Sequence, residues 1–147
     1  MQFFPETQIE THHAEAIARG LFAIAHADGM HEREAALIAS FWADAGGTFS
    51  ALAELERRQP ITAQELGAIL NTPKLRQLFV KTSLLMAFAD GKVSEEESKL
   101  VRAYAEQLGL TEELGNLEAQ VKEFLLGQLA HIHNTQGLAE IAKKLAI

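Results

Sequence analysis

The chain contains no cysteine. Disulfides, thiolate nucleophiles and cysteine-type zinc sites are therefore excluded. Nor is there an excess of positive charge: 13 basic residues stand against 20 acidic ones, for a formal charge of −7. Surfaces that bind nucleic acid carry a basic patch, so this balance argues against such a partner. No apolar run approaches the ~20 residues of a membrane span. The opening Met1-Gln2-Phe3-Phe4-Pro5-Glu6 lacks the basic start and long apolar run of a signal peptide. A cytoplasmic location is the expectation. No segment sustains apolar–polar alternation, which removes the main signal for strands. G-x-S-x-G, a glycine-rich phosphate loop and a Cys–His pair are all missing, so an enzyme is not expected.

What remains is apolar and helical. Apolar residues make up 48% of 147, enough for one packed domain spanning 1–147. Ile17, Leu21 and Ile24 recur at helical spacing after Thr11, a candidate N-cap, and the helix ends at Asp28-Gly29. A second helix, about 31–45, carries Leu37, Ile38, Phe41, Trp42 and Ala45 on one face and stops at Gly46-Gly47. Thr48 caps a short helix to about residue 58, with Leu52 and Leu55 inward. Thr62 with Glu65 forms a capping box for the next, and Thr72-Pro73 starts the one after. The helix from residue 73 to 89 is apolar almost all round in its second half, which predicts a central position. Ser94 with Glu97 is a further capping box, opening a helix whose inner face is Leu100, Val101, Tyr104, Ala105 and Leu108. Gly109 ends it, and Thr111 caps a long segment to about residue 132. A last amphipathic helix carries Leu138, Ile141, Ala142 and Leu145 with Lys143 and Lys144. It packs back on the bundle, or docks a partner, a second subunit or an anionic membrane surface. The expectation is an all-α bundle of seven or eight helices.

The chain also repeats itself. Residues 19–29 align with 81–91 at an offset of 62, which becomes 63 after Lys92. Glu34 then matches Glu97, Phe41 matches Tyr104, Gly46 matches Gly109 and Thr48 matches Thr111. Two pseudo-symmetric hairpins, about 14–47 and 73–110, are thus expected to close one core, with helices over 111–147 completing it. Two copies are too few for an open solenoid.

Ala89-Asp90-Gly91-Lys92-Val93-Ser94-Glu95-Glu96-Glu97, echoed by Ala27-Asp28-Gly29-Met30-His31-Glu32-Arg33-Glu34, resembles the TerB-like family. That family includes tellurite-resistance TerB proteins and the amino-terminal domain of DjlA-type membrane co-chaperones. The echo lacks one residue and has His31 at the cap position. The resemblance covers roughly residues 14–126. It implies a bundle fold and a role in metal-oxyanion or envelope stress as a binding module, and it implies no known reaction. Partners of the implied kind are another protein, a second copy of the chain or a membrane protein complex.

An Asp at the carboxyl end of a helix faces an unfavourable dipole, and this chain has two. In one reading each Asp sets the hairpin by accepting backbone N–H groups. In the other, Asp28 with Glu34, and Asp90 with Glu97, supply hard oxygen ligands to calcium or magnesium. Neither turn is an EF-hand. With Asp90-Gly91 at loop positions five and six, the first and third positions are Met86 and Phe88, and the first copy has Ala35 where the last ligand belongs. The six histidines include no pair at i, i+4, and surface or capping roles are expected for them. The expected function is therefore a non-enzymatic, cation-tuned binding module. A metal-independent scaffold or dimerisation module, and an enzyme of unknown reaction using clustered carboxylates, are the alternatives.

Overall fold

A computed structural model describes residues 9–30, 32–89 and 95–129, without the side chains of 28, 49, 89 and 127–129. The Asp90-Gly91 turn, the Ser94 cap, His31, His131, His133 and the final amphipathic helix lie outside the described residues. Seven α-helices and no strand occur among the described residues: α1 (Thr11–Ala25), α2 (Glu32–Asp44), α3 (Phe49–Arg57), α4 (Ala63–Ile69), α5 (Pro73–Ala89), α6 (Glu95–Gln107) and α7 (Leu114–Leu129). A single 3₁₀ turn, His26–Asp28, follows α1.

Threonines set the middle of the chain. The hydroxyls of Thr48, Thr62 and Thr72 accept the backbone N–H groups of Ala51, Glu65 and Leu75 at 3.3, 3.1 and 3.2 Å. Each thereby satisfies a donor that the helix itself leaves open. The start of α1 differs from expectation. Its cap is Glu10, one residue before Thr11, because His13 supplies an acceptor: the Glu10 N–H donates to His13 Nδ1 at 3.2 Å. The last described helix also starts late, at Leu114 instead of directly after Thr111. Leu110 is buried, and the chain takes one turn over residues 111–113 to leave the core.

The ends of α2 and α6 are built alike. Gly46 and Gly109 take φ of +87° and +75°, a conformation that costs other residues about 1–2 kcal/mol. Behind α2, Gly46 N–H donates to Ala43 O and Gly47 N–H to Trp42 O, both at 2.9 Å. Behind α6, Gly109 N–H donates to Glu106 O at 3.1 Å and Leu110 N–H to Ala105 O at 2.8 Å. Both are Schellman caps.

Two helices hold the centre. From Leu78 to Ala87 every residue of α5 is buried. The helix packs on α1, α2, α6 and α7. Its interior hydroxyls are satisfied within the helix: Thr82 donates to Leu78 O at 2.7 Å and Ser83 to Val80 O at 2.8 Å. The other central helix is α1, which touches α2, α3, α4, α5 and α6. The two meet at Gly20, where an added Cβ would lie 2.5 Å from Phe79 Cε1. The fully buried Phe79 ring lies edge-on to Tyr104, with centroids 5.3 Å apart, and the Tyr104 hydroxyl donates to Ile61 O at 2.9 Å. One cluster thus ties α1, α5, α6 and the lead into α4.

Arg76, on the first turn of α5, clamps two helix ends. Its guanidinium donates to Leu70 O at 2.7 Å, Gly67 O at 3.0 Å and Leu108 O at 3.3 Å. These carbonyls close α4 and α6, where the dipole favours a cation.

Candidate functional site

The apolar stripe of α2 runs Leu37, Ile38, Phe41, and that of α6 runs Leu100, Val101, Tyr104. Extending either stripe backward by one helical step leads to a glutamate. Glu34 and Glu97 are each the third residue of their helix and the first of the inward face. Both are buried, with 1% and 3% of their surface exposed. An isolated carboxylate buried this deeply would carry a large desolvation cost. The open N–H groups of the first helical turn and the positive end of the dipole offset part of it, and each glutamate has a polar partner.

The aspartates paired with them in the sequence are less fully described. Asp28 closes the 3₁₀ turn, and its side chain is outside the described set; Asp90 lies outside the described residues. The turn that ends in Asp28 packs against α6, the helix of Glu97. That contact crosses between the two expected hairpins and was not visible in the residue spacing, which pairs Asp28 with Glu34. Lys81, on α5, is a further buried charge with a partner.

A second feature is a cleft of about 210 Å³ between α5, α6 and α7. Its apolar lining is Leu84, Ala87, Phe88, Val101 and Leu114, and its polar lining is Ser98, Arg102, Glu118 and Lys122. The Arg102 guanidinium donates to Ser98 Oγ at 3.1 Å. The Lys122 ammonium lies 5.6 Å from the centroid of Phe88, within reach of a cation–π contact. Two cations against one carboxylate give this cleft a positive lining on an acidic chain. Helical periodicity places Phe88 on an apolar helix and Arg102 on an outer face, but it does not bring them together.

A third group lies at the start of α1. One ligand atom each from Glu10, His12 and His13 falls within 4.8 Å of the others. His12 Nδ1 is 3.4 Å from Glu10 Oε2. Burial lowers the His13 pKa below its ordinary value; repulsion from His12 adds to this and attraction to Glu10 opposes it. The run Glu10-Thr11-His12-His13 was the available signal, and a search for i, i+4 histidines passes over it. Compared with protein families, with curated proteins and with solved structures, the chain matches none.

Proposed function

We propose that the chain is a TerB-like, non-enzymatic stress-response module of the tellurite-resistance type. It acts through contact with another protein, and a divalent cation at the two Asp-Gly turns tunes it. The observation that carries this reading is the burial of Glu34 and Glu97 at the same helical position after the two Asp-Gly sequences. A calcium or magnesium ion needs several oxygen ligands. A buried carboxylate a few residues after an Asp-Gly sequence is a rational start for such a set. Matching Schellman caps behind α2 and α6 support the duplication on which the family reading rests. So does the packing: α2 lies on α5 as α6 lies on α1, and α3 lies on α1 as α7 lies on α5.

The test is thermal unfolding of chelator-stripped protein with and without millimolar calcium or magnesium. Binding to the native state raises the midpoint by mass action. The proposal expects a rise that Glu34→Gln and Glu97→Gln reduce. These variants keep the size of the side chain and remove its charge, replacing one acceptor oxygen with an amide donor. An unchanged midpoint would contradict the cation reading.

The cleft favours a second reading, a metal-independent docking module. Its apolar lining with Arg102 and Lys122 fits a partner's apolar side chain flanked by a carboxylate. A double reversal, Arg102→Glu with Lys122→Glu, should then abolish protection against tellurite in cells that depend on the chain, while circular dichroism shows the chain still folded. Full protection by that variant would remove the cleft from the function.

A further inference from the structure

We propose that Glu10, His12 and His13 form a transition-metal site at the start of α1 that takes a divalent cation of the zinc class. Two imidazoles and a carboxylate are the donor set such ions prefer, whereas calcium and magnesium take oxygen ligands. The site is therefore chemically distinct from the Asp-Gly turns and stands independently of them.

The geometry needs little change. The three ligand atoms lie within 4.8 Å of one another, and the two imidazole centroids are 4.0 Å apart. A tetrahedral ion with bonds of about 2.0–2.1 Å holds its ligands roughly 3.3 Å apart, so small side-chain rotations close the set. His12 and Glu10 are exposed, so these rotations displace no core residue. Three protein ligands leave the fourth position open to water or to another molecule.

Two terms oppose binding. The amino end of α1 repels a cation, and the Glu10 carboxylate offsets this. The second term is specific to this chain. His13 Nδ1 accepts the Glu10 N–H, so a neutral ring carries its proton on Nε2. A metal on Nδ1 replaces that hydrogen bond directly. A metal on Nε2 takes the proton's place and turns Nδ1 into a donor, which also breaks the bond. Metal binding therefore exchanges the backbone cap of α1 for a chelate.

The test is calorimetric titration of the chelator-stripped full chain with zinc chloride. One saturable site per chain is expected, weakened at least tenfold by His12→Asn and by His13→Asn, and unaffected by His26→Asn. The Glu10 amide resonance should shift on zinc addition in the parent chain and stay in place in His13→Asn. Absence of saturable zinc binding would overturn the proposal. So would binding that survives in the double variant His12→Asn with His13→Asn, since the metal would then sit on other groups. Circular dichroism of each variant without zinc checks that α1 is still folded, and Glu10→Gln, which leaves both rings in place, gives an independent loss of affinity.

Discussion

Arg76 and Tyr104 show how much single polar side chains contribute to an otherwise apolar bundle. Arg76 donates to three carbonyls at two helix ends. Arg76→Ala leaves those groups without their donor, and a loss of about 2–3 kcal/mol is expected in urea unfolding. Arg76→Lys should recover only part of it, because a point charge cannot reproduce the fork. Tyr104 donates to Ile61 O from within the core. Tyr104→Phe leaves that carbonyl unpaired at a cost of about 1–3 kcal/mol. Burial also raises the Tyr104 pKa above 10.0. The unfolded chain then loses the phenolic proton first, so this contribution is complete below about pH 10 and is lost as pH rises through the folded value. The difference in stability between parent and Tyr104→Phe should therefore shrink above pH 10 in urea titrations at stepped pH. A difference that is flat or grows with pH would contradict the burial of the hydroxyl.

Between elements, the tightest constraint is the crossing of α1 and α5 at Gly20. A methyl group there meets the Phe79 ring at 2.5 Å. Gly20→Ala should cost about 1–3 kcal/mol by overpacking, despite its better helix propensity. Adding Phe79→Leu to Gly20→Ala should cost less than the sum of the two single changes, which a double-mutant cycle measures. Strict additivity would mean that the helices do not meet there. This crossing was hard to foresee. Gly20 sits inside a strong helical pattern, and nothing local says which ring faces it. Helix starts were far more legible, because Thr48, Thr62 and Thr72 act on N–H groups three residues away. The cap of α1 falls one residue before Thr11, where the Glu10 N–H finds its acceptor in a histidine, a less usual partner. The carboxylates Glu34 and Glu97 were legible as ligand types from the repeat. Their burial was not, since a run such as Glu95-Glu96-Glu97 reads as a solvated first turn. Only the helical phase, which sets Glu97 in line with Val101 and Tyr104, distinguishes the inward one.

For the whole molecule, the central position expected of the helix over 73–89 is shared by α1, which touches five other helices. Both central helices lead towards an Asp-Gly sequence, and both are followed by a helix with a buried glutamate at its third position. The cleft between α5, α6 and α7 is lined in part by α6, the helix that carries Glu97. A cation held by Glu97 would therefore act on a helix that borders the proposed docking surface. The most direct test is the melting temperature of chelator-stripped protein as calcium or magnesium is raised to about ten times its dissociation constant. Binding at that level adds about 1.4 kcal/mol, which for a chain of this size is a rise of roughly 3–5 °C. The proposal predicts that rise in the parent chain, a smaller one in Glu34→Gln and in Glu97→Gln, and none in the double variant. A parent chain whose melting temperature does not move, or a double variant that still responds in full, would contradict it.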